Sequence, residues 1–351
     1  MSKSKGKFQR YTPVLKWKRG EMWALKHLNS ESKDKIVPLL DFLPHTSKTI
    51  PDHADEQSKR LLDAWGARPA FIDTFYVGTQ TPASANDHEN VFKALQARGC
   101  EAVPVTALGR SPHFQQSVRK CIGIGENGVL IRLGVSDFSD ISQLALALNN
   151  LTNFLGVQKS DVDILVDYST VASCDIVIQL MRLHINNLPS INQWRSLTVA
   201  SGCFPSSLKP LGAGHWHLIQ RAEWLAWEAA RSGTPALARR PYYADYGIRD
   251  PGPPPEFGRA SANLRYTTDS NYLVRLGGLV NDGGAQQMHA MCGSLIARPE
   301  YKGSTFSSGD AAIATTAASS DSSGGPQQWV QWCMNHHFEF VVEQLGLLPA
   351  A

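Results

Sequence analysis

Eight short apolar runs, separated by helix-patterned segments, constrain this chain more than any other feature. They are YTPVL, KIVPLLDF, AFIDTFYV, EAVPVTAL, GVLIRLGV, VDILVDYS, SLTVASG and PYYADYG. Each is nearly continuous in apolar character rather than alternating, as expected of strands covered on both faces in a parallel sheet. Between them lie EMWALKHLN, HADEQSKRLLDAWG, NDHENVFKALQARG, SPHFQQSVRKCIG, FSDISQLALALNNLTNFLG, DIVIQLMRLHIN and RAEWLAWEAARSG. In the fifth of these Ile141, Leu144, Leu148 and Leu151 recur at spacings of three and four, one face of a helix. Ser111 is placed to cap the fourth helix and Gly99 to stop the third. This alternation predicts parallel β/α units with right-handed crossovers. Eight units predict a closed α/β fold, a (β/α)8 TIM-barrel-like domain over residues 11–250, in preference to an open doubly wound sheet. The last strand is the least distinct, because HWHLIQ just before it competes for the place.

After residue 250 the composition changes. DPGPPPEFG reads as a proline-rich linker without helical potential. ANLRYTTDSNYLVRLGG reads as a strand leading to a short helix. STFSSGDAAIATTAASSDSSGGPQQ, within the Ser/Gly-rich stretch 303–327, reads as either a mobile loop or a lid. QWVQWCMNHHFEFVVEQLGLL predicts a helix with Trp329, Trp332, Cys333, His336 and Phe340 on one face. Residues 251–351 are thus expected to be a C-terminal extension packed on the barrel.

Composition narrows the function classes. With 351 residues, 42% hydrophobic and 19% charged, the chain has the balance of a folded domain with a large core. The net charge of +3 is too small for a broad nucleic-acid footprint, although MSKSKGKFQRY starts with a basic tail, residues 1–10, that leaves such contact open. Cys100, Cys121, Cys174, Cys203, Cys292 and Cys333 are scattered, with no C-x-x-C pair for zinc or redox chemistry. They read as thiols in a reducing compartment. No apolar stretch approaches a membrane span and no signal-peptide core is seen, so a cytoplasmic protein is expected.

Candidate site residues follow from strand ends, because the C-terminal ends of barrel strands form the working face. In YTPVLKWKRGE the apolar run stops at Lys16 and Lys18, with Glu21 opening a helix. The second strand ends in Asp41, the third carries Asp73, the fifth Arg132, the sixth Asp167, and the eighth Asp245 and Tyr246; Arg265 in ANLRYT completes the set. Arg132 and Asp167 interrupt apolar runs, and a charge there must be paired or face a polar pocket. Two readings stand. Arg132 pairs with Asp167 or Asp73 as a structural network, or Lys16, Lys18 and Arg132 bind an anionic ligand while Asp41, Asp73 and Asp167 orient them or hold a divalent metal. Asp163 shares a strand face with Asp167 but lies at the N-terminal end, pointing away from the mouth.

Other constellations read as packing. His336 and His337 diverge by roughly 100° on a helix and cannot chelate one metal. His336 and Glu339 share a face, and His336 reads as hydrogen-bonded in the core. His215 and His217 share a strand face but lack a third ligand. Trp224, Trp227, Trp329 and Trp332 read as core rather than a base-stacking platform. No metal motif, G-x-S-x-G elbow, Walker A loop or dinucleotide fingerprint is present, and GIGENG precedes a strand instead of opening a helix. Catalytic residues and a cofactor are therefore not named by the sequence.

The ordered set TPVLKWKRGE, KIVPLLDF, IDTF, AVPVTALGR, VLIRLG, ILVDYS, SGCFP, RAEWLAWEA, ADYGIRDP, ANLRYT, FSSGD and WVQWCMNHHFEFVVEQL resembles the Beta protein family of bacteria, bacteriophages and phage satellites, over residues 11 to 346. Ser308 stands where relatives tend to carry an aromatic residue before Gly309-Asp310, and ADYG replaces a frequent Gly-Asp-Tyr. The resemblance implies a component of antiphage defence clusters such as gop-beta-cll, working with the products of neighbouring genes and restraining a toxic one. It implies no reaction. The competing expectations are an enzyme acting on a phosphate-bearing small molecule or nucleic acid at the barrel mouth, and a nucleic-acid-binding module using the basic tail.

Overall fold

The structure is a computed structural model that describes residues 11–78, 86–172, 174–252, 260–319 and 321–348. The basic tail 1–10 and the 253–259 part of the proline-rich linker lie outside the described residues. The strands β1 (Tyr11–Leu15), β2 (Leu39–Asp41), β3 (Ala70–Asp73), β4 (Ala102–Thr106), β5 (Val129–Gly134), β6 (Val162–Thr170) and β7 (Ser196–Gly202) pair in sequence order. Every pair is parallel, and β9 (Tyr242–Asp245) lies between β7 and β1 to close the barrel. PYYADYG is therefore the eighth barrel strand. Its competitor HWHLIQ forms β8 (Trp216–Gln220), which leaves the barrel and joins an antiparallel sheet in the order β10 (Ser261–Thr267), β11 (Asn271–Leu279), β8.

Helices α1 (Arg19–Lys26), α2 (Ser30–Lys35), α3 (Ile50–Trp65), α4 (Asp87–Ala97), α5 (Pro112–Gly125), α6 (Ile141–Leu155), α7 (Cys174–Asn187) and α8 (Ala222–Ser232) accompany the barrel strands. Their ends carry the expected signals: the Ser111 hydroxyl accepts from the Phe114 N–H at 3.2 Å, with Pro112 at the first helical position. Val14, Leu39, Phe71, Val103, Val105, Leu130, Leu165, Ala200, Ala244 and Tyr246 fill the barrel interior. The opposite strand faces join a larger core shared with the helices. Burial on both faces is why the strands read as continuous apolar runs.

The extension consists of β10, β11, α9 (Gln287–Ile296), α10 (Ser308–Ala318) and α11 (Pro326–Gly346). Two expectations are corrected here. ANLRYTTDSNYLVRLGG is a β-hairpin rather than a strand and helix. Ala262, Leu264 and Tyr266 are buried at a period of two, and Thr267 pairs with Tyr272 across the turn. Part of the 303–327 stretch is also a helix rather than a loop: α10 is capped by the Ser307 hydroxyl, which accepts from the Asp310 N–H at 3.0 Å, and its alanines favour the helix. Gly309 lets α10 approach α11, because a Cβ there would lie 2.0 Å from the Trp332 carbonyl oxygen.

α11 packs against α1, α10 and β10 and is buried along most of its length, Trp329 and Trp332 included. His336 and His337 serve different neighbours. His336 Nδ1 meets Asp310 Oδ2 at 2.8 Å and its Nε2 meets the Thr267 carbonyl oxygen at 2.9 Å. His337 meets Asp245 and Thr267, and Glu339 accepts from the Ser32 hydroxyl and the Asn29 N–H. Trp224 and Trp227 pack on Tyr243. Among the described residues no helix is long and apolar enough to cross a membrane.

Candidate functional site at the barrel mouth

The last inward-facing residues of β2 and β3, Asp41 and Asp73, are in register on neighbouring strands. Two buried carboxylates so placed require cations, and the neighbouring strands and loops supply three. Lys16, one residue past β1, donates to Asp41 Oδ2 at 2.7 Å. Arg110, in the loop after β4, donates to Asp73 Oδ2 at 2.9 Å. Arg132 on β5 donates to Asp167 on β6 through Nε at 2.7 Å and lies 3.8 Å from both Asp41 and Asp73. The Tyr246 hydroxyl, just past β9, donates to Asp167 Oδ2 at 2.6 Å and accepts from Arg132 Nη2 at 2.8 Å.

Three cations thus face three carboxylates across the mouth. Burial works against the charge on Arg132, but Asp167, Tyr246, Asp41 and Asp73 outweigh it and hold its pKa well above the ordinary value. Burial likewise opposes charge on Lys16, and Asp41 more than offsets it. Asp73 is pushed up by burial despite Arg110, and the Tyr246 hydroxyl is raised by burial and then by Asp167. Aromatic rings complete the rim: Phe75 lies under the Arg110 guanidinium at 3.7 Å and Tyr76 under Lys16 at 5.3 Å. Among the described residues no group of three or more His, Cys, Asp or Glu is placed to hold a metal ion.

Of the ten sequence candidates, Lys16, Asp41, Asp73, Arg132, Asp167 and Tyr246 come together and four do not. Asp245 faces outward, accepting from the Tyr11 hydroxyl at 2.6 Å and meeting His337 Nε2 at 3.0 Å, so it ties the barrel to α11. Glu21, in the first turn of α1, is buried, accepts from the Lys18 N–H at 2.9 Å and faces Arg249. Lys18 lines a cleft beside the mouth. Arg265 belongs to β10, stacked on Phe204 at 4.7 Å and donating to the Ile248 carbonyl at 2.7 Å. Asp163, at the far end of β6, pairs with Arg195 at 2.6 Å. Arg110 was missed because it sits four residues beyond its strand; the signal was its position in TALGR, an arginine in a loop on the working face.

A family model described as Beta protein matches residues 11–343. The chain belongs to the Beta protein family. No curated protein matches it. Among solved structures it is similar to triosephosphate isomerase from Bartonella henselae, at 10% identity and a TM-score of 0.35, over 68% of this chain and 92% of that one. In this Beta family chain Gly309-Asp310 is a packing element: Gly309 donates its N–H to Asn335 Oδ1 at 2.8 Å, and Asp310 engages His336. The Ser308 hydroxyl donates to the His27 carbonyl at 3.1 Å.

Proposed function

We propose that this Beta family chain is a cytoplasmic component of an antiphage defence cluster that acts through a protein partner, the product of a neighbouring gene, by restraining or regulating a toxic effector. Family membership supports the defence role. The observation that carries action through a partner, in preference to turnover at the mouth, is the self-paired mouth: each of Asp41, Asp73 and Asp167 is engaged by a cationic side chain. A general base or nucleophile at this position would first have to break an ion pair. The exposed apolar residues Ile176 and Leu183 on α7 and Leu218 on the outer strand β8 fit a partner surface. The two elements meet where Cys174 Sγ approaches Gln220 Oε1 at 3.9 Å.

The test is plaquing efficiency on cells carrying the complete native cluster. Ile176→Asp with Leu218→Asp is expected to abolish protection and co-purification of the neighbouring product, with the melting temperature unchanged. Asp73→Asn, in a variant that still folds, is expected to leave protection intact. Protection lost in Asp73→Asn and kept in the surface variant would overturn this reading in favour of chemistry at the mouth.

A further inference from the structure

β1 leaves the barrel through a bend that a bulky residue seldom adopts: Trp17 has φ of +51°. Residues held in such conformations cluster at ligand-binding sites. The β1–α1 corner, the β2–α3 loop, α3, Arg249 and the first turn of α11 enclose a cleft of about 650 Å³, within the usual range for small-molecule sites. Among the described residues Lys16, Lys18, Arg19, Lys48, Arg60 and Arg249 line it against a single carboxylate, Glu56. Glu56 already pairs with Lys48 at 2.5 Å and with Arg60. Beneath the wall Asp41 holds Lys16 and Glu21 lies 3.4 Å from Arg249 Nε. Six cations therefore meet three carboxylates.

The surplus is crowded. The Lys18 pKa is lowered by burial and then by Arg249, with Lys16 acting in the same direction and Glu21 opposing. Arg19 and Gly20 begin α1, and Pro326 and Gln327 begin α11, so two helix N-termini add positive potential to the same walls. Trp17 Nε1, on a lining residue, is a buried donor without a hydrogen-bond partner among the described residues. Phe42, His53 and His45 follow one another along the cleft as tilted rings, with centroids 5.1 and 5.3 Å apart.

We propose that this cleft binds a phosphorylated small molecule with two or more phosphate groups, of the nucleoside polyphosphate class, its phosphates between Lys18, Arg19 and Arg249 and its base toward His45. A terminal phosphate carries about −1.5 to −2 at neutral pH, so a diphosphate matches the surplus. The site involves neither the mouth network beyond Lys16 nor the α7–β8 surface. Its failure is read by ligand binding and leaves the plaquing result untouched.

The experiment titrates the full chain with ADP, inorganic pyrophosphate and a single-stranded oligonucleotide by calorimetry and thermal shift. ADP and pyrophosphate are expected to bind one site and raise the melting temperature. Lys18→Gln with Arg19→Gln is expected to weaken both by about tenfold or more while the unliganded melt stays unchanged. Lys18→Gln alone, on the same phosphate wall, provides the same readout should the double variant fail to fold. No binding at roughly millimolar ligand, undiminished binding by a folded variant, or preference for the oligonucleotide over ADP would overturn the proposal.

Discussion

The barrel mouth and the seam between barrel and α11 are built from similar ingredients but stand differently toward water. At the mouth Asp41 and Asp73 are 1% and 2% exposed, but the Arg132, Lys16, Arg110 and Asp167 side chains around them are 20%, 11%, 11% and 10% exposed. At the seam His336, Asp310, His337 and Asp245 are between 0% and 1% exposed. A charge with water beside it can be resolvated when its partner is removed; a dry one cannot. The seam is therefore the structural lock that joins the extension to the barrel, and the mouth is the network that can be altered with less harm to the fold.

The largest expected effect follows directly. Asp310→Ala removes the carboxylate shared by His336, the Tyr266 hydroxyl and the Ser307 hydroxyl, and should cost about 3–5 kcal/mol, as for other broken buried pairs. Arg132→Ala should cost about 1–3 kcal/mol, because water entering the mouth reaches Asp167, which also keeps the Ser169 N–H. Urea unfolding of the two variants checks the order. An equal or larger loss for Arg132→Ala would make the mouth the main lock.

Acid should separate the two regions by sign. Burial opposes ionisation of Asp245 and Asp310, but His337 and Tyr11 for the first, and His336, Ser307 and Tyr266 for the second, hold both below the usual carboxylate value. Their stabilisation is fully present above the unfolded value of about 3.9 and disappears as pH falls through the lower folded values. Asp73 is raised by burial, so the native state takes up its proton first and gains stability as pH falls through that raised value. The urea midpoint followed from pH 6 downward should therefore fall most steeply below about pH 4. Asp245→Asn should flatten that fall, whereas Asp73→Asn should steepen the approach to it. Flattening by Asp73→Asn would place the acid-sensitive group at the mouth.

What was legible in the sequence follows the same division. The eight barrel strands are legible because parallel strands buried on both faces are continuous apolar runs, and the six mouth residues because they stand at strand ends on the working face, Arg132 and Asp167 also because an ion inside such a run must find a partner. Asp245 and Tyr246 were both assigned to the mouth although successive strand residues face opposite ways; the alternation leaves room for only one, and Tyr246 is inside. The α10 helix is hard to read from composition because serines and glycines flank the alanines that make it helical. The seam could not be read from spacing, since Asp245 and His337 are 92 residues apart.

The smallest effect is the sharpest check on the difference in hydration. Tyr266 donates to Asp310 at 2.8 Å, accepts from the Lys302 N–H at 2.9 Å and stacks on His336 at 3.7 Å. Tyr266→Phe keeps the stacking and strips two hydrogen bonds from a dry site, at about 1.5–3 kcal/mol. Tyr246→Phe also removes two, yet Arg132 and Asp167 still meet directly at 2.5 Å and are 20% and 10% exposed, so the expected loss is about 0.5–1.5 kcal/mol. Matched losses in urea unfolding would mean that the mouth is as dry as the seam, and the ion pairs there would then have to be counted as part of the core.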